Sequence, residues 1–372
     1  LKAGWVVMQK FRSSDTDVHV SVPGKLILLG EYAVLQGADA LVMAVDRYAL
    51  VKIGETGSDK SWQISSNLER DRLSFKLDPN GKMEPLPDSR DSCWRKMNFA
   101  CQAIEAICMH LAASGFTIQP FLIGINTKAF YLKKNKKLGL GSSAALIIAI
   151  VFAIAVYHRA EVRIFPDKNT LFEFCFAVHS QAQGKRGSGI DVAAGVYGGI
   201  VQYQMAAAGK GNGSRRTLFP ALPSRLNLLP VWTGKSTSTQ TLLQSLEKYR
   251  SENLSGFNLF MKNLTGISNN GCQDLINKNI HGFLESVSEY YRVLLKLTQK
   301  SGIPIISAVH EQIARIVHAA QGYYKPSGAG EGDLGLVFSD SIEVLTIIRE
   351  QLKQKNFGVL DLHVSGSGVK KI

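Results

Sequence analysis

The feature that most constrains this chain is a glycine-rich turn, Gly139-Leu-Gly-Ser-Ser-Ala-Ala145, that opens straight into an unbroken apolar run over residues 144–157. Such a turn at a helix N-terminus presents backbone N–H groups with no partner inside the helix, an arrangement suited to a phosphate. Gly139 and Gly141 let a ligand approach the backbone closely, and the hydroxyls of Ser142 and Ser143 can cap the helix or help hold a metal. An ordinary serine cap on a buried helix reads the same way, and the local pattern leaves both open. Residues 138–157 carry no charge and approach membrane-spanning length, but the turn occupies their first part, so 144–157 is predicted to be a buried core helix.

At 372 residues the chain exceeds the size at which one hydrophobic core stops growing, which predicts two domains. Hydrophobic residues at 45% and charged residues at 20% are ordinary globular usage, and no segment has the polar bias of a long flexible tail. The net charge of +13, from 43 Lys and Arg against 30 Asp and Glu, suits phosphorylated metabolites but also nucleic acid or acidic membranes. The densest basic run, Lys133, Lys134, Lys136 and Lys137, has only Tyr131 beside it and belongs to no nucleic-acid module, so it reads as a solvated loop. The cysteines, Cys93, Cys101, Cys108, Cys175 and Cys272, are odd in number and form no Cys-x-x-Cys pair. Neither a disulfide framework nor a structural zinc site is expected, and a reducing cytoplasm is. The N-terminal apolar stretch is too short for a secretory signal and lacks its small-residue cleavage pattern. Met8 is the first methionine, and the seven residues before it are set aside from the fold argument.

Apolar and alternating runs predict strands at 18–22, 25–29, 40–53, 121–125, 195–203, 226–232, 335–338 and 363–364. Helical spacing marks 94–112, 144–157, 171–182, 238–249 and 280–301. This alternation implies α/β or α+β layers, and no solenoid or propeller repeat is visible. The glycine-rich basic stretch 206–216 fits an exposed loop near a boundary, placed near Ser224, so the expected domains are 1–224 and 225–372.

A decoy is Gly234-Lys-Ser-Thr237, which follows a predicted strand and ends like a phosphate-binding P-loop. That loop requires glycine where this chain has Leu229, so the segment reads instead as a polar turn at a strand end, a common place for substrate contacts. Two further glycine turns are Gly187-Ser-Gly-Ile-Asp191, preceded by Lys185 and Arg186, and Ser327-Gly-Ala-Gly-Glu-Gly-Asp333. Three phosphate-friendly turns in one basic chain, one of them carrying a lone Asp beside cations, argue for phosphoryl transfer.

PGKLILLGEYAV (residues 23–34), GLGSSAA (139–145) and SGAGEGD (327–333) resemble, in order, the three signature motifs of the galactokinase, homoserine kinase, mevalonate kinase and phosphomevalonate kinase superfamily. The resemblance implies an α+β, two-domain kinase fold: an N-terminal α/β domain with a left-handed βαβ crossover, against the usual right-handed rule, and a C-terminal ferredoxin-like domain. Within the superfamily, HSQAQGKRGSGIDVAA (179–194) with YGG (197–199), WTGKSTST (232–239) and Tyr32 in the first motif resemble the phosphomevalonate kinase branch. Where mevalonate kinases place a magnesium-binding Glu upstream of the catalytic Asp, this chain has Ser180, Gln181 and Gln183.

Carried over motif by motif, the resemblance implies Lys25 and Asp191 as the catalytic pair. It implies an ATP cradle of Lys137, Gly139, Leu140, Gly141, Ser142, Ser143 and Ala144, with Ser143 also on magnesium. Contacts to the acceptor are expected from Glu31 and Tyr32, from Lys185, Arg186, Ser188 and Gly189, from Lys235 and Ser236, and from Ser327, Gly328, Ala329 and Gly330. The implied partners are ATP, Mg2+ and phosphomevalonate, with neither nucleic acid nor membrane. Mevalonate is the alternative acceptor, and a catalytically idle metabolite sensor is the alternative of another class.

Overall fold

The computed structural model describes residues 17–56, 61–67, 69–86, 94, 96–132, 136–184, 187–205, 214–237 and 239–372. The first of two sheets starts with Val18–Leu29 (β1) and Asp39–Glu55 (β2), a long antiparallel pair of mostly buried, β-branched residues. The runs at 18–22 and 25–29 are one strand, whose ladder shifts register between Pro23 and Gly24, where proline has no N–H to contribute. Trp62–Ser66 (β3), Glu69–Leu77 (β4), Met83–Pro85 (β5), Phe121–Asn126 (β6), Ile200–Gln204 (β7) and Arg215–Phe219 (β8) follow. The far edge of β2 is shared: residues 39–43 pair with β7 and residues 50–55 with β6. Among the described strands, β3 with β6 is the one parallel pairing.

Four longer helices cover this sheet: Asn98–Ala113 (α1), Ser142–Tyr157 (α2), Lys168–Ala182 (α3) and Ile190–Tyr197 (α4). Because α2 is apolar on every side, it can only be a core element, and it lies between β1 and β2 on one side and α1, α3 and α4 on the other. Among the described residues no helix is long and apolar enough to cross a membrane.

Thr239–Glu252 (α5), Leu254–Ile276 (α6), Ile280–Ser301 (α7), Ala308–Ala319 (α8) and Ile342–Gln354 (α9) accompany the second sheet, made of Asn227–Trp232 (β9), Tyr323–Ser327 (β10), Leu334–Ser339 (β11) and Gly358–Val359 (β12). Its order is β10-β11-β9-β12, all antiparallel, the arrangement of a ferredoxin-like βαββαβ unit with extra helices in its first crossover. The chain then returns to the first sheet: Ser365 N–H donates to Ala44 O at 2.9 Å, and Lys370–Lys371 (β13) pairs with β1.

Two strand expectations need correction. Residues 195–197 finish α4, and the strand begins only at Ile200. Gly195 sits where a β-carbon would come 2.5 Å from Ile148 Cδ1, so the glycine that reads as a strand start is a close-packing helix residue. Residues 363–364 form an isolated bridge, Val45 to Val364, rather than a strand. Of the basic loop expected at 206–216, residues 206–213 lie outside the described residues, and Arg215 and Arg216 belong to β8. Lys133, Lys134 and Cys93 also lie outside the described residues, and the other four cysteines are buried.

Candidate active site

The glycine turns converge on one cleft of about 840 Å³. Its floor is the start of α2. Gly141 caps that helix in the left-handed region at φ 74°, with no side-chain cap. The first intrahelical bond runs from Ala145 N–H to Gly141 O, so the N–H groups of Ser142, Ser143 and Ala144 open the helix without an intrahelical partner. The serine-cap alternative is thereby set aside: Ser142 is buried, its hydroxyl against the Tyr131 phenol, and Ser143 Oγ lies 3.1 Å from His179 Nε2.

Lys25 is bound to this turn twice, its N–H donating to Leu140 O at 2.9 Å and its Nζ to Gly139 O at 3.1 Å. Asp191 stands in the first turn of α4, Oδ1 accepting from Val192 N–H at 3.0 Å, its side chain 20% exposed. Gly141 separates the two, since a β-carbon there would lie 2.9 Å from Lys25 Cγ and 3.4 Å from Asp191 Cβ. Gly139 likewise leaves room for Asp333, whose Cγ would be 2.5 Å from an added β-carbon.

The third motif closes the cleft from β10. Ser327 Oγ accepts from Ile27 N–H at 3.0 Å and donates to Ile27 O at 3.1 Å, joining the second sheet to the first. Beside it lies a buried ion pair, Lys325 Nζ to Glu31 Oε1 at 2.5 Å, with Gly328 N–H donating to the same oxygen at 3.3 Å. Glu31 Oε2 is buried without a hydrogen-bond partner. Burial lowers the Lys325 pKa, and Glu31 works against that shift. The Tyr32 hydroxyl donates to Ala329 O. Burial raises the Asp333 carboxyl above its ordinary value, opposed by Lys25, by a hydrogen bond from Thr237 N–H and by Lys137. Desolvation lowers the Lys137 ammonium, with Asp333 opposing.

Of the residues expected from sequence, Lys25, Asp191, Lys137, Gly139, Gly141 and Ser143 line the cleft. So do Glu31, Tyr32, Ser188, Ser236, Ser327, Gly328 and Ala329. Leu140, Ser142, Ala144, Gly189 and Gly330 do not; they shape the turns through their backbones. Lys235 also stands off the wall, its ammonium 2.6 Å from Glu331. Lys185 and Arg186 lie outside the described residues. Sequence reasoning missed Asp333, Lys325 and His179. Asp333 was findable, since it ends a glycine turn as Asp191 does, and His179 heads the same 179–194 segment that carries Asp191, whereas nothing local marks Lys325 as facing this site. A second cavity, about 590 Å³ and bordered by Arg225, Lys278 and His281, contains none of the glycine turns.

Residues 98–199 match the family model described as GHMP kinases N terminal domain. The chain is 26% identical over 364 residues to the phosphomevalonate kinase of Streptomyces sp. strain CL190, covering 91% of this chain and 94% of that protein. It is 28% identical over 184 residues to the mevalonate kinase of Aeropyrum pernix, covering 50% of this chain and 49% of that one. In fold it is similar to Streptococcus pneumoniae phosphomevalonate kinase, solved in complex with phosphomevalonate and AMPPNP, at a TM-score of 0.71 and 22% identity over 95% of this chain and 99% of the other. The matched domain carries the floor of the cleft, so the chain resembles the GHMP kinases in that domain, and its overall fold is similar to that of a solved phosphomevalonate kinase.

Proposed function

We propose that the chain transfers the γ-phosphoryl group of ATP to phosphomevalonate, giving the diphosphate, in a cleft between an N-terminal unit, 1–224, and a C-terminal unit, 225–372. The observation that carries this reading is the placement of Lys25 and Asp191 on either side of Gly141, above three unpartnered N–H groups of α2. Similarity to the Streptomyces and Streptococcus phosphomevalonate kinases supports the acceptor.

An acceptor phosphate, with a second pKa of about 6, is largely dianionic at neutral pH. Its oxygen bonds to the γ-phosphorus as the bond from that phosphorus to the ADP oxygen breaks, and no proton has to be removed. Asp191 then orients the acceptor or takes a residual proton. The larger task is to bring two anions together, and Lys25 and the α2 N–H groups offset their repulsion as charge spreads over the transferred group. Lys137 extends that positive wall, and the Asp333 carboxylate interacts electrostatically with both lysines. Lys185 and Arg186 are assigned to the acceptor's own phosphate on sequence grounds, and Ser236 remains available to it on the cleft wall.

The Ser143 hydroxyl and the Asp191 carboxylate are hard oxygen donors and fit magnesium, which takes few protein oxygens beside substrate phosphates. Bound with ATP, magnesium supplies charge neutralisation at the phosphate oxygens.

The test is ADP release, coupled to a spectrophotometric readout, across phosphomevalonate, mevalonate, galactose and homoserine with ATP and magnesium. Turnover of phosphomevalonate above the others is expected. Equal or better turnover of mevalonate moves the assignment to mevalonate kinase, and nucleotide binding without turnover of any acceptor moves it to a sensor.

A further inference from the structure

His179 stands directly behind the cleft wall in the last turn of α3, and the chemistry above makes no use of it. Its side chain is 4% exposed, yet one ring nitrogen, Nε2, faces three wall groups at once. Ser143 Oγ is 3.1 Å away, the Gln183 side-chain nitrogen 3.1 Å, and Asp191 Oδ2 3.9 Å. These groups come from the start of α2, the end of α3 and the start of α4, so the ring is the point at which three elements of the wall meet. Phe99 of α1 packs beside it, ring centroids 6.2 Å apart.

An amide nitrogen can only donate, so with Gln183 in this orientation Nε2 is an acceptor. The Ser143 hydroxyl can then join Nε2 only by donating its own hydrogen, sharing the nitrogen's single in-plane lone pair with the Gln183 N–H as a bifurcated acceptor. With that hydrogen turned back toward the ring, the lone pairs of Ser143 Oγ are left for the cleft. A hydroxyl free to rotate would present its hydrogen there part of the time and repel a cation.

We propose that His179 is a positioning residue that fixes the Ser143 hydroxyl as an oxygen donor toward the cation that accompanies the nucleotide. The proposal rests on reading the cleft as an ATP site.

Calorimetric binding of AMPPNP to the full chain, with magnesium and with EDTA, tests this without reading turnover. Glutamine can present its amide oxygen about where Nε2 stood, whereas asparagine reaches only to about the Nδ1 position. His179→Asn is expected to weaken the magnesium-dependent part of the affinity roughly threefold to tenfold, the size of one net hydrogen bond. His179→Gln should stay within about twofold of wild type, and the EDTA values should not move. Combining His179→Asn with Ser143→Ala should cost no more than Ser143→Ala alone, because both remove the same donor. Wild-type magnesium dependence in His179→Asn, equal losses in the asparagine and glutamine variants, or additive losses in the double variant each overturn the proposal. If His179→Asn does not fold, His179→Phe, which keeps the ring and lacks the nitrogen, takes its place. A wild type that binds AMPPNP no better in magnesium than in EDTA defeats the ATP-site reading itself. Failure to phosphorylate phosphomevalonate leaves the binding result intact and strikes only the assigned acceptor.

Discussion

Gly141→Ala places a methyl group between the two residues assigned to catalysis, and its cost divides into a backbone part and a site part. At φ 74° any L-residue is strained, by about 1–2 kcal/mol, which for a chain of this size is a fall in Tm of roughly 1–3 °C. Gly302, which ends α7 at φ 72° with nothing within 4 Å of an added β-carbon, isolates that part. Gly302→Ala should lower Tm similarly and leave kcat alone. At Gly141 the methyl group also meets Lys25 Cγ at 2.9 Å. Ordinary carbon contacts of about 3.5–4.0 Å require Lys25 to retreat by roughly 0.6–1.1 Å, enough to break its Nζ bond to Gly139 O. A misplacement near 1 Å costs up to about a hundredfold in rate, so kcat should fall roughly tenfold to a hundredfold in the coupled ADP-release assay. If Gly141→Ala and Gly302→Ala lose the same Tm and both keep kcat within about twofold, the positions of Lys25 and Asp191 do not matter to turnover, and the cleft has been misread.

Lys25→Met should lower kcat by roughly two orders of magnitude or more while calorimetric AMPPNP affinity changes little, because a preorganised cation acts mainly on the transferring group. Lys325→Met strands the buried Glu31 carboxylate and should cost about 3–5 kcal/mol in urea unfolding, much of it recovered when Glu31→Gln is added. His310 is buried neutral against Tyr324, its pKa lowered to about 4 by burial. The unfolded chain therefore binds the extra proton first, so stability present above about pH 6.5 should decline toward pH 4, and His310→Gln should flatten that part of the stability curve.

Local signals made much of the fold legible. The apolar run behind the glycine turn is α2, the predicted helix at 280–301 coincides with Ile280–Ser301, and strands at 121–125 and 226–232 fall within a residue or two of β6 and β9. The failures have physical causes. Gly195 mimics a breaker because helix packing at Ile148 demands a missing side chain. Leu254–Ile276 went unnoticed because Ser, Asn and Gly populate its exposed face, and only packing against β2 and α7 makes it a helix. At the site, turn chemistry pointed to Lys25, Ser143 and Asp191 through residues adjacent in sequence. Lys325 and His179 act across the fold: Lys325 meets Glu31 at a separation of 294 residues, which no local pattern encodes.

The return of the chain to its first sheet makes the polypeptide cross between the sheets twice, once at residues 220–226 and again at 360–363. Each crossing ties one sheet to the other through the backbone itself. The cleft lies where Ser327 and Glu31 meet, so its two walls are tied there a third time, by the Ser327 bonds to Ile27 and by the buried Lys325–Glu31 pair, which keeps Lys25 on one wall facing Gly328 on the other.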